Sequence, residues 1–322
     1  MQAAIVQGAG QTPVLRAVAE PQAGDHECLV AVTAAALSQL TRSRASGRHY
    51  SATGTFPFGV GIDGVGRTSQ GRRVYFVLPR APFGSMAERT VVAATHCLDL
   101  PEALDDATAA AIANPGMSSW AALTERARLQ PGETVLINGA TGISGRLAVQ
   151  IARHLGAGKV IATGRSAQAL RELETLGADV TLELGADMEA FEAGAMAAFA
   201  GGVDVVLDYL WGPSAEALLV AAAKAGPDAV PIRFVQIGEA SGPIIRLPGA
   251  VLRSSALTLM GSGMGSIAPQ GLLRAIDGVL RAAVPAGLRI ATRTIPMADL
   301  EAAWLDDEGN RRTVFTLAPP AP

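Results

Sequence analysis

The stretch VLINGATGISGRLAVQIARHLGAG, residues 135–158, constrains the fold of this chain more than any other. An apolar run of strand length passes through a glycine-spaced turn. The segment beyond it places Ile143, Leu147, Val149, Ile151 and Leu155 in a helical pattern, so the order is strand, tight turn, helix. The alternation continues downstream. ETVLIN, KVIATG, GVDVVLDYL, IRFVQIG and ALTLMGS read as strands, with helices around Gly142–Leu155, Ala167–Leu176, Met188–Ala200, Ser214–Ala223 and Gln270–Val284. Such alternation predicts an α/β fold, a doubly wound parallel sheet with helices on both faces.

Residues up to about 115 follow another pattern. AAIVQ, CLVAVTAAAL, RRVYFVL and AERTVVAA are short β-rich runs between Gly, Pro and polar turns, and GTFPFGVGIDGVGRTSQGRR is glycine-dense, as where a sheet bends. This part predicts a small, mostly β domain, and 322 residues suffice for two domains. The last stretch, RIATRTIPMADLEAAWLDDEGNRRTVFTL, reads strand–helix–strand and is a candidate to rejoin the first domain. The tail APPAP has the composition of a disordered end.

Charge and cysteine content exclude several classes. A formal net charge of −3 gives no long-range attraction for nucleic acid or an anionic membrane. The two cysteines, Cys28 and Cys97, form no CxxC pair, so neither a disulfide framework nor a cysteine-rich zinc lobe is indicated. The first residues lack a secretory leader's pattern, and no stretch reaches the ~20 apolar residues of a membrane span. A cytoplasmic protein is expected.

The glycine turn reads Ala140-x-Gly142-x-x-Gly145, with Ala in place of a first Gly. Gly142 lets backbone approach a pyrophosphate, and Gly145 lets the helix pack close to the strand. The amides from Thr141 through Gly142, Ile143, Ser144 and Gly145, with the helix dipole, make an anion site without a basic side chain. A tight turn without ligand is the alternative for the motif taken alone. The end of KVIATG decides the cofactor. Versions that bind NAD carry an acidic residue there for the ribose hydroxyls, whereas this chain reads Gly164-Arg165-Ser166. A guanidinium fork suits a 2′-phosphate, and Ser166 adds a hydroxyl. The alternative is a solvated Arg followed by a helix-capping Ser. The turn and the Arg together predict NADP(H).

With these residues in view, the chain resembles the medium-chain dehydrogenase/reductase superfamily, in particular its zinc-free quinone oxidoreductases (the zeta-crystallin-like family). The likeness runs through GVGIDGVG, FGSMAERTVV, PGETVLINGATGISG, AVQIARHLGA and LGADVTLEL in order. It implies a GroES-like β domain of residues 1–115 and 290–322 and a Rossmann domain of 116–289, with substrate and nicotinamide meeting between them. Zinc-dependent members use a Cys, a His and a later Cys. Those positions correspond to Ser38, Ile62 and Asn114, which lack imidazole and thiolate, so no metal is expected.

Without a Lewis acid, the acceptors that suit a nicotinamide are quinones and α,β-unsaturated carbonyls, which delocalise incoming charge. Enoyl-thioester or alkenal reduction is the nearest rival, and a non-catalytic NADPH-binding protein is a second class. Ser38, Tyr50 and Asn114 are the candidates for the substrate side, with loop hydroxyls or a helix cap near Met117 as their plain alternatives. By resemblance, Ser118, Gly238 and Ser262 approach the cofactor. Arg312 resembles a basic position that returns toward the cofactor, an exposed charge being its alternative. The strand ALTLMGSG is placed to pair across a two-fold axis, so a homodimer is expected.

Overall fold

The computed structural model describes residues 1–47, 55–185, 187–306 and 311–317. Tyr50 and the tail APPAP lie outside them. The chain divides into two compact units, Met1–Asn114 with Arg289–Pro322, and Pro115–Leu288. Among the described residues, no helix is long and apolar enough to cross a membrane.

The first unit contains strands β1 (Gln2–Val6), β2 (Val14–Ala17) and β3 (Glu27–Ala36), helix α1 (Gln39–Ala45), then β4 (Phe58–Gly59), β5 (Asp63–Thr68), β6 (Arg73–Val77), β7 (Arg89–Ala93) and β8 (Cys97–Asp99). Helix α2 (Asp106–Ala121) leads out of it. Most of these strands form a largely antiparallel sheet around β3, which pairs with β5 and β7. Residues on alternate positions of β3, Val30 and Val32, are buried, and they join Phe76, Met86, Trp304 and Phe315 in one core. Two of these core residues come from the C-terminal stretch, which does rejoin this unit. Its strands β15 (Thr292–Pro296) and β16 (Arg312–Thr316) flank helix α9 (Leu300–Ala303), and β16 pairs antiparallel with β3, Val314 opposite Ala36.

The second unit follows the alternation read from the sequence. Strands β9 (Thr134–Asn138), β10 (Lys159–Gly164), β11 (Val180–Glu183), β12 (Val205–Asp208), β13 (Ile232–Gln236) and β14 (Leu257–Gly261) form one parallel sheet in the order β11-β10-β9-β12-β13-β14. Between and after them run α3 (Ile143–His154), α4 (Ala167–Thr175), α5 (Met188–Ala200), α6 (Gly212–Ala225), α7 (Gly249–Arg253) and α8 (Pro269–Ala282). Leu136, Ile161 and Phe234 of the sheet pack against Phe191 and Phe199 of α5 and Leu218 of α6, all buried. Edge strand β11 carries no fully buried residue, and it escaped the sequence reading for that reason.

Helix α2 corrects one expectation. It begins at Asp106 and runs through Pro115, so Asn114 sits inside a helix rather than capping one near Met117. Proline lacks the amide that would bond four residues back. In the next turn two serines bond back to the helix backbone, Ser118 Oγ donating to the Pro115 carbonyl at 2.8 Å and Ser119 Oγ to that of Gly116 at 3.1 Å.

Candidate functional site

Because every strand of the second unit runs the same way, the C-terminal ends of β9, β10, β12, β13 and β14 share one edge of the sheet, the edge at which ligands bind in open α/β folds. Most of the residues expected to meet the cofactor lie there. Gly142 is the N-cap of α3 in extended conformation, and no side chain caps that helix. A Cβ at Gly142 would find nothing nearer than the Gly139 carbonyl at 3.8 Å, so backbone there is open to approach. At Gly145 a Cβ would stand 2.4 Å from the same carbonyl, so glycine is what lets α3 begin against the strand end. The exposed amide end, the open face at Gly142 and the tight packing at Gly145 fit a bound pyrophosphate.

Gly164 closes β10 against the turn, where a Cβ would meet Thr141 Cγ2 at 2.2 Å. Arg165 and Ser166 follow, both exposed. Among the described residues no carboxylate pairs with Arg165. Ser166 caps α4, its hydroxyl accepting from the Ala169 amide at 3.3 Å. Its O–H donor stays available for a neighbouring anion.

A buried polar lattice lies beneath the turn, and the sequence reading missed it. Asn138 Nδ2 donates to Asp208 Oδ1 at 2.8 Å and to Ser214 Oγ at 2.9 Å, while Thr163 Oγ1 donates to Asn138 Oδ1 at 2.8 Å. The Gly139 amide donates to Thr163 Oγ1 at 3.0 Å, which ties the turn to β10. Asp208 also accepts from the amides of Leu210 and Trp211, at 3.0 and 3.1 Å. Burial raises the Asp208 carboxyl, and the Leu210 amide, Asn138 and the Trp211 amide oppose that rise. Ser118 shares a 3.2 Å hydrogen bond with the hydroxyl of Tyr209, whose phenol burial pushes up to about 12. Gly238 lies against Tyr209, where a Cβ would be 2.6 Å from the Tyr209 carbonyl. Ser262 extends the ladder, its amide donating to the Gln236 carbonyl at 2.9 Å.

The substrate-side candidates belong to the first unit, and the structure separates them into two groups. Ser38 is buried and caps α1, accepting from the Thr41 amide at 2.9 Å and sharing a 2.8 Å contact with Thr41 Oγ1. Asn114 instead faces a buried cluster. The Tyr75 hydroxyl donates to Asp63 Oδ2 at 2.6 Å, and Asn114 lies near enough to favour the ionised Asp63 carboxyl. Asp63 and Tyr75 are fully buried, 1% and 0% exposed. Arg312 joins them. The structure excludes the exposed charge that was its alternative, since β16 inserts it into the sheet at 7% exposure.

Burial raises the Asp63 carboxyl, with Tyr75, Arg312 and Asn114 opposing it. It lowers the Arg312 guanidinium, with Asp63 opposing it. Asp63 Oδ1 and Arg312 Nε and Nη2 are buried without a hydrogen-bond partner, three unmet polar atoms in one cluster. Asp63 and Tyr75 were not singled out from the sequence. The available signal was a lone carboxylate within the apolar, glycine-rich run GVGIDGVG.

A family model described as zinc-binding dehydrogenase matches residues 145–278. The chain is 31% identical to a probable NADPH-dependent quinone reductase of Emericella nidulans, over 86% of its own length and 88% of that protein's. It is 36% identical to a polyketide synthase of Streptomyces halstedii over 55% of its own length and 3% of the synthase. Among solved structures, the quinone oxidoreductase from Thermus thermophilus, studied with its NADPH complex, superposes with a TM-score of 0.81 at 30% identity, over 98% of this chain and 100% of that one. The parallel sheet with its glycine turn and the full-length likeness agree: the chain belongs to the quinone oxidoreductase family of the medium-chain dehydrogenase/reductase superfamily.

Proposed function

We propose that this protein is an NADPH-dependent oxidoreductase that passes hydride to quinones or other α,β-unsaturated carbonyls without zinc. The observation that carries the reading is the end of β10. An exposed Arg165, free of carboxylate partners among the described residues, follows Gly164 where an NAD-selective site would hold an acid. The α3 amides and Gly142 receive the pyrophosphate, and Arg165 with Ser166 receives the 2′-phosphate. Ser118, Gly238, Ser262 and Arg312 are assigned to the remaining cofactor contacts, and Ser38, Tyr50 and Asn114 to the substrate. Bound NADPH supplies the hydride. The Asn138–Asp208–Thr163 lattice fixes the turn before the cofactor arrives, and such preorganisation is what positions a reacting group.

The donor set supports metal-free chemistry. Ile62 has no ligating atom, and Ser38 and Asn114 offer neither imidazole nor thiolate at the positions zinc-dependent relatives use. The likeness to the Emericella and Thermus proteins supports the cofactor and the quinone. Enoyl-thioesters are the second acceptor class, because they too delocalise the incoming charge. A cytoplasmic homodimer belongs to the same reading. The test is NADPH oxidation measured with a panel of quinones, alkenals and an enoyl-thioester. At least one quinone should accelerate it strongly. Tight NADPH binding with no acceleration by any member would turn the reading toward a non-catalytic NADPH-binding protein.

A further inference from the structure

Helix α1 sets Thr41 and Arg44 three residues apart, hence on one face. Both line a small cavity in the first unit, about 60 Å³, whose other walls include Phe58, Ile62, Pro79 and Phe83. Arg44 is half-buried there, and burial lowers its guanidinium below the ordinary arginine range. No carboxylate among the described residues pairs with it. Arg80, between the lining residues Pro79 and Ala81, is paired with Glu27 at 2.5 Å.

Arg44 lines the cavity half-buried and has no carboxylate partner among the described residues, so the desolvation of its charge is only partly compensated. An anion restores the balance. One wall of the cavity is closely packed: at Gly61, φ +97, a Cβ would stand 2.2 Å from Ser85 Oγ. Thr41 joins the cavity directly to Ser38, the substrate-side candidate, through the 2.8 Å hydroxyl contact.

We propose that this cavity is a subsite for an anionic group on the substrate. The cavity, about 60 Å³, has room for the carboxylate alone, which takes the Arg44 fork in two parallel hydrogen bonds, and the attached apolar ring lies outside it against the half-buried Phe58. The inference deepens the function proposed above, since it rests on a quinone or enone substrate and adds that the preferred one carries a negative charge. Neutral quinones are then the poorer substrates.

The experiment compares a 1,4-naphthoquinone bearing a short carboxylate arm with its methyl ester, for the wild type, Arg44→Met and Arg44→Lys. The wild type should favour the acid in kcat/KM. Arg44→Met should reduce the acid-to-ester ratio by roughly 10- to 100-fold, the loss of a charge-assisted contact, and Arg44→Lys should restore part of it. A ratio near one in the wild type, or one unchanged in Arg44→Met, overturns the proposal. Circular dichroism confirms that each variant is folded.

Binding of 2-naphthoate, followed by calorimetry, needs no turnover and separates the two readings. Arg44-dependent binding in a protein inactive toward every quinone upholds the cavity and defeats the quinone reading. Quinone turnover without Arg44-dependent naphthoate binding does the reverse.

Discussion

The side chains that most distinguish the first unit are Asp63, Tyr75 and Arg312. A carboxylate and a guanidinium buried in one sheet without forming an ion pair within 4.0 Å depend on what else hydrogen-bonds them. For Asp63 that is Tyr75, at 2.6 Å. Replacing Tyr75 by Phe keeps the ring and removes the donor, so about 1–3 kcal/mol of stability should be lost. The pH dependence follows from the direction of the Asp63 shift. Its folded pKa lies above the ordinary carboxylate value because of burial. Stability from this group is therefore full below the unfolded value and falls as pH rises toward the folded one. Tyr75→Phe raises the folded value further, so its deficit should widen as pH rises from the ordinary carboxylate range. Thermal melts of both proteins from acid to neutral pH check this, and a deficit that shrinks with rising pH would contradict it. Neither Asp63 nor Tyr75 was legible from the sequence. Strand alternation tells which face a residue takes, but the partner of a buried polar group comes from a strand whose register is set only by the folded sheet.

Elements were far more legible. Helix α5 has the bounds read from the sequence, as does strand β10, and the ends of α3, α4, α6 and α8 lie within two residues of expectation. Long amphipathic helices and fully buried parallel strands announce themselves by period and by continuous apolar runs. What escaped was short or shared its pattern with something else. Strand β11 has no buried run, and the extent of α2 was hidden by Pro115, which normally argues for a break. At the other edge of the same sheet, β14 buries Leu257, half-buries Leu259 and Met260, and pairs on one side with β13. A two-fold partner that extends the sheet at this edge would cover it. Light scattering should therefore report about twice the 32.9 kDa chain mass. A monodisperse monomer would remove β14 as an interface.

At the scale of the molecule, the chain builds one unit from its two ends and the other from its middle. The return of the C-terminal stretch could be read only as a possibility, because strand–helix–strand is compatible with either sheet. It is the pairing of β16 with β3 that settles it. The middle unit carries the central functional claim, that the β9–α3 turn and Arg165 together select NADPH. Calorimetric titration of NADPH and NADH into the wild type and Arg165→Ala tests it most directly. The account predicts clear preference for NADPH in the wild type, and a loss of about 1.5–3 kcal/mol of NADPH binding in the variant with NADH unaffected. Equal affinity for the two nucleotides, or NADPH binding untouched by Arg165→Ala, would contradict it.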